Sequence, residues 1–220
     1  MKLRCAIFDF DGTLYDSMYL WDDAAPRYLR SVGAVPRPDV REQVRTMSQR
    51  QSAEYFHREY LPSLRVDDIE AGINKTVEHY YLDEVQPKPG APEFLAELRR
   101  RGVTRCLATA TDRYMVEAAL ARCGLAGTFD AIFTCAEVGH GKNEPEIYRR
   151  ALAFSGADRG SAVIFEDALF AARTAKRDGF FVAAVQDDHE PQPAALAALC
   201  DVCIPDFYHL EDFWAFASAE

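Results

Sequence analysis

"IFDFDGTLYDS", residues 7–17, sets an apolar run against two acids one residue apart, Asp9 and Asp11, and follows them with Gly12 and Thr13. A short apolar run bounded by a Gly-Thr turn reads as a buried strand, which puts both acids at its carboxyl end. Taken alone, the tract also fits a strand end followed by an Asx-turn. The rest of the chain has to decide between a turn and a site.

Beyond residue 86 the same kind of run recurs. "TRCLATA" (104–110), "DAIFT" (130–134), "SAVIFED" (161–167), "FFVAAVQ" (180–186) and "DVCIPD" (201–206) join "RCAIFDF" (4–10) as candidate strands. Between them "PEFLAELRRRG", "DRYMVEAALARCG", "EPEIYRRALAFSG" and "LFAARTAKRDG" carry amphipathic helical spacing and end at Gly. Short apolar strands alternating with such helices predict an α/β fold, a Rossmann-like parallel sheet with helices on both faces. Ligands gather at the carboxyl ends of strands in an open parallel sheet. That edge would collect Asp9, Asp11, Thr109, Glu166 and Asp167. Four carboxylates in one crevice repel one another and resist desolvation unless a cation and a partner charge neutralise them. With no His or Cys beside them, a hard oxygen-seeking ion such as Mg²⁺ suits the set.

Residues 16–85 break the rhythm. Met18, Trp21, Ala25, Tyr28, Leu29 and Val32 follow helical steps, as do Ile69, Ile73, Val77 and Tyr80, and no strand pattern lies between them. Pro26 interrupts the first pattern and marks a kink or a helix start. The expected organisation is a Rossmann-like core of residues 1–15 and 86–220, with residues 16–85 inserted as a second, all-helical domain. "QPKPGAPEF" (86–94) reads as the return linker.

Composition narrows the partners. The chain has 220 residues, 49% hydrophobic, enough for a sizeable core. Its 35 acids against 25 Lys and Arg give a formal net charge of -10, which disfavours nucleic acid or an anionic membrane as main partner. Six cysteines, mostly within apolar runs, read as reduced core residues, and the single C-x-x-C of Cys200 and Cys203 lacks the further ligands of a zinc site. With no signal-peptide pattern and no apolar run near the ~20 residues of a membrane span, a cytoplasmic monomer is expected.

Four ordered motifs resemble the haloacid dehalogenase-like superfamily of aspartate-nucleophile phosphatases, in the small-helical-cap branch of the phosphoglycolate phosphatases and β-phosphoglucomutases. "DFDGTL" (9–14) is similar to the first, D-x-D-G-T-L, and "LATAT" (107–111) to the second, a strand ending in Ser or Thr. "GKNEPEIY" (141–148) is similar to the third, G-K-P-x-P-x-x-[FY], and "FEDALFAARTAKRDGF" (165–180) to the fourth. The resemblance implies that Asp9 is the nucleophile that forms an aspartyl-phosphate and that Asp11 is the general acid and base. It implies that Thr109 donates its hydroxyl to the phosphoryl group and that Lys142 supplies positive charge. Mg²⁺ would be held by Asp9, Asp11 through its backbone carbonyl, Glu166 and Asp167. Gly12 and Ala110 would face the phosphoryl oxygens, and Tyr15, Trp21 and Arg50 would lie toward the substrate from the cap side.

Departures are few. Asn143 stands for the usual Pro, Ala168 for Ser and Ala171 for Gly, and no expected charged group is missing. His140, Asp187 and Asp188 read as loop residues. The implied function is Mg²⁺-dependent hydrolysis of a small phosphorylated metabolite. A phosphosugar mutase and a non-catalytic regulatory protein on the same fold are the alternatives, with a dehalogenase weaker because Asp11 follows the nucleophile. Such mutases carry a His about where Trp21 stands and an Arg in a cap loop near "SQRQ", from which Arg50 is displaced by one residue.

Overall fold

A computed structural model describes residues 2–218. In chain order β1 (Cys5–Phe8) leads to a short β2 (Tyr15–Asp16), then to helices α1 (Met18–Ser31), α2 (Val40–Val44), α3 (Gln49–Glu59) and α4 (Val66–Asp83), and back through β3 (Gln86–Pro87). The remainder runs α5 (Ala91–Arg100), β4 (Thr104–Thr109), α6 (Arg113–Arg122), β5 (Ala131–Thr134), α7 (Cys135–Val138) and α8 (Glu146–Ser155). It ends with β6 (Ala162–Glu166), α9 (Leu169–Arg177), β7 (Phe181–Val185), α10 (Pro193–Leu199), β8 (Val202–Ile204) and α11 (Glu211–Ser218).

Six strands form one parallel sheet in the order β5-β4-β1-β6-β7-β8. The expected Rossmann-like α/β architecture is the one found, and each of the six expected strands is present within a residue or two of its reading. β1 lies centrally, with Phe8 in register with Leu107 on one side and Phe165 on the other. All four of its residues are buried because the period of two sends Ala6 and Phe8 into one helix-covered layer and Cys5 and Ile7 into the other. That is why the sequence shows an unbroken apolar run there. Aromatic packing fills the first layer: Phe8 stacks on Phe165 at 4.3 Å, and Phe94 meets Phe8 edge-on at 6.0 Å.

Between β2 and β3 the chain is helical, and Ala25, Tyr28, Leu29, Val40, Ala53, Phe56, Ile69 and Ile73 bury against one another there. Leu20, Ala24, Val77 and Tyr81 of the same helices join the core cluster instead. α1 runs through Pro26, whose ring is buried and whose missing N–H would have bonded to the Asp22 carbonyl. Val32, expected on the buried stripe, lies past the helix end and is exposed.

Residues 86–94 are not simply a linker. Gln86–Pro87 pairs antiparallel with Tyr15–Asp16, so the two crossings between sheet core and helical insert form one ribbon. Polar contacts also join the two parts. Asp22 meets His189 Nδ1 at 2.6 Å, Arg45 donates to the His189 carbonyl, and Asn74 Nδ2 donates to Asp112 Oδ2 at 2.6 Å. The six cysteines are free, and Cys203 departs from the core reading by being exposed. Among the described residues no helix is long and apolar enough to cross a membrane.

Candidate active site

Asp9 directly follows β1 and is pinned by its own N–H, which donates to the Phe165 carbonyl at 3.0 Å. Glu166 and Asp167 sit at the end of the neighbouring strand β6. Into this edge the loop between α7 and α8 delivers Lys142, whose Nζ lies 2.5 Å from Asp9 Oδ1 and 2.6 Å from Glu166 Oε1. Tyr148 on α8 donates its hydroxyl to the same Glu166 oxygen at 2.8 Å, and Thr13 donates to Asp167 Oδ1 at 2.7 Å. Oxygens of Asp9, Glu166 and Asp167 all lie within 4.8 Å of one another.

Two buried carboxylates thus share one ammonium, and a third, Asp167, stands beside them with only the Thr13 hydroxyl. Burial pushes the Asp9 carboxyl well above the carboxylate range; the Lys142 charge opposes this, and the charges of Glu166, Asp167 and Asp11 reinforce it. Asp167 is pushed up to about 7, first by burial and then by Glu166. Lys142 is held above its ordinary value by Asp9 and Glu166 against the opposing effect of burial. Glu166 Oε2 is buried with no hydrogen-bond partner. An orphaned buried oxygen beside two further carboxylate oxygens, with no His or Cys in the group, fits a hard divalent cation, and its two charges would balance the set.

Gly12 makes the turn that brings Thr13 to Asp167. Its φ of +76° suits glycine, and a Cβ there would come within 2.4 Å of Asp167 Oδ2. Asp11 is held apart from the three acids. Ser17 and Tyr81 donate to its Oδ1 at 2.7 and 2.5 Å, and Thr111 donates to its Oδ2 at 2.5 Å. Tyr81 in turn accepts from Trp21 Nε1 at 2.8 Å. Burial and the adjacent Asp11 charge raise the Tyr81 phenol well above its usual value, which keeps it a donor.

A cavity of about 190 Å³ opens above these groups, between the sheet edge and the insert. Asp9, Asp11, Lys142, Glu166 and Asp167 form its floor, Ala110 and Thr111 border it, and Trp21 and Gln49 face it from the insert. Thr109 is fully buried at the end of β4, where its Oγ1 accepts from the Thr111 N–H at 3.0 Å. Two residues expected toward the substrate lie elsewhere. Tyr15 is buried against Phe10 at 4.2 Å with its hydroxyl donating to the Ala119 carbonyl, because the turn after Gly12 folds it into the core. Arg50 points outward from α3 into a surface network with Asp67 and Glu70, at 2.6 and 3.1 Å.

Sequence reasoning missed Ser17, Tyr81 and Thr111, while Gln49 lies within the "SQRQS" stretch (48–52) expected to face the substrate. Thr111 could have been found from its place two residues after Thr109 at a strand end. Tyr81, 70 residues from Asp11, carried no local signal. Asp187 is more than a loop residue: nearly buried, it pairs with Lys88 at 2.8 Å, and its charge reaches Asp167.

A parallel sheet with an aspartate after its central strand, a lysine bridging to the next strand's acids and a helical insert over that edge belongs to a known class. The chain matches the haloacid dehalogenase-like hydrolase family over residues 3–179 and belongs to it. It is 29% identical over 205 residues to the validoxylamine A 7'-phosphate phosphatase of Streptomyces hygroscopicus subsp. limoneus, covering 92% of this chain and 93% of that one. It is 27% identical over 199 residues to hexitol phosphatase B of Escherichia coli strain K12, covering 87% and 88%. The crystal structure of CbbY from Rhodobacter sphaeroides in complex with phosphate superposes with a TM-score of 0.80 at 26% identity, over 95% of this chain and 96% of that one.

Proposed function

We propose that the protein is a Mg²⁺-dependent phosphatase that hydrolyses the phosphate monoester of a small metabolite through an aspartyl-phosphate, with residues 16–85 capping a core of 1–15 and 86–220. The observation that carries this reading is Lys142 bridging Asp9 and Glu166 on the floor of a cavity where Glu166 keeps an unpartnered oxygen. Asp9 attacks phosphorus as the ester P–O bond breaks, and Asp11 gives the leaving oxygen its proton. Asp11 then takes a proton from water, whose oxygen attacks phosphorus and releases phosphate and Asp9. Lys142 and the Thr109 hydroxyl hold the phosphoryl oxygens as charge develops on them. When bound by Asp9, Glu166, Asp167 and the Asp11 carbonyl, Mg²⁺ supplies the charge that lets an anionic nucleophile approach an anionic phosphate.

Relatives named validoxylamine A 7'-phosphate phosphatase, hexitol phosphatase B and phosphorylated carbohydrates phosphatase support hydrolysis over mutase transfer. So does the insert, since a mutase must grip a second phosphate there, and Arg50 is committed to Asp67 and Glu70. Phosphate release from simple phosphate esters, with Mg²⁺ or with chelator, tests the reading. Asp9→Asn is expected to lower kcat by at least ~10³-fold with the fold intact. Substantial turnover by that variant, or full activity in excess chelator, overturns it.

A further inference from the structure

Ser48 and Gln51 close a capping box at the start of α3, with Ser48 Oγ accepting from the Gln51 N–H and Gln51 Oε1 accepting from the Ser48 N–H at 2.8 Å. Gln51 is thereby spent on the helix end, and its Oε1 also lies only 2.9 Å from where a Cβ on Gly141 would stand, beside Lys142. Gln49, two residues earlier, has no such task. It is 8% exposed, and neither its Nε2 nor its Oε1 has a partner, yet it lines the same cavity as Asp9 and Lys142. A buried amide with both ends unpaired is costly, so a native site that keeps one leaves those bonds for a molecule from outside.

We propose that Gln49 reads hydroxyl groups on the substrate, and that this substrate is a polyhydroxylated phosphate monoester of the sugar or polyol class. A carboxamide offers a donor and an acceptor together and carries no charge at any pH. Neighbouring hydroxyls, each donor and acceptor, satisfy both ends at once. A second phosphate or a carboxylate only accepts and would leave Oε1 facing negative charge. The cations on the same wall are already engaged, Arg41 with Asp23 at 2.9 Å and Arg45 with the His189 carbonyl. Ser52, one turn along α3, adds a hydroxyl to the lining. The inference rests on the phosphatase reading, which places the phosphate at the Asp9 and Lys142 end of the cavity.

Calorimetric binding in the Asp9→Asn background tests it without turnover, using glucitol 6-phosphate against hexyl phosphate, which has the same six-carbon chain and no hydroxyls. The parent is expected to prefer glucitol 6-phosphate. Adding Gln49→Met, or Gln49→Leu as a second variant, should shrink that preference by ~10-fold or more, because a site built to pair hydroxyls loses its discrimination with the pairing group. Tm should hold or rise, since an unpaired amide leaves the interior, whereas a structural role predicts a lower Tm with the preference unchanged. An unchanged preference, or a parent that binds hexyl phosphate as well as glucitol 6-phosphate, overturns the proposal. Failure of the phosphatase reading shows separately, as no phosphate released from either ester by the unsubstituted protein.

Discussion

In the sheet core, Asp9 and Glu166 share one lysine beside Asp167 in near-complete burial. In the helical insert, Asp67, Glu70 and Glu54 share Arg50 at the surface, and Asp67 has Arg65 as well. The contacts are of similar length, but the acids respond in opposite directions. Burial drives Asp9 and Asp167 up, while hydrogen bonds from Arg50 and Arg65 hold Asp67 below the carboxylate range. An exposed pair exchanges water for a partner at little net gain. A buried set with more acids than cations is a strain on the fold, kept because the chemistry at that edge uses it.

Lys142→Ala is the hardest blow to this contrast. It is expected to remove about 2–4 kcal/mol of transition-state stabilisation, roughly 30- to 1,000-fold in kcat/KM, while Mg²⁺ affinity rises because the carboxylates lose a competing cation. Kinetics and a metal titration read both, and unchanged values would make Lys142 equivalent to an insert cation. Next is stability against pH. Burial pushes the Asp167 carboxyl up to about 7 from its ordinary 3.8, so between them the folded state binds more protons than the unfolded one. Stability of metal-free protein should therefore fall as pH rises through that window, giving a higher Tm at about pH 5.5 than at about pH 8 in chelator. Excess Mg²⁺ should reverse the order, and a metal-free Tm that rises with pH would break the contrast.

A smaller effect is expected from Tyr81→Phe, which takes one donor from Asp11 and the acceptor from Trp21. The loss of one such bond predicts a kcat lower by about 5- to 10-fold, measured under saturating substrate. Arg50→Ala should do least, changing KM by less than about twofold, as befits an exposed pair. A large KM increase at constant kcat would instead give Arg50 the substrate contact expected from the sequence.

The core was legible because its determinants are local. Strand runs, Gly-ended helices and acids at strand ends follow from periods and turns within a few residues, and Asp9, Lys142, Glu166 and Asp167 converge as their motifs implied. The insert was legible only as helices. Whether Arg50 or Gln49 turns inward depends on the rotation of α3, fixed by Ala53, Tyr55 and Phe56 packing into the insert's own cluster. Tyr81 reaches Asp11 because α4 leans on the core through Val77 and Tyr81, a tertiary contact that no spacing records.

The ribbon of Tyr15–Asp16 and Gln86–Pro87 decides how the insert is hinged to the sheet. Two independent tethers would let the insert swivel and slide. A laddered pair of strands resists shear in its own plane and flexes only out of it, leaving one soft rotation about an axis across the ribbon. The contacts at His189 and Asp112 tie the insert to the core at points outside the ribbon. Were the insert to open for a substrate, it would do so along one coordinate, with the kinetics of a single barrier.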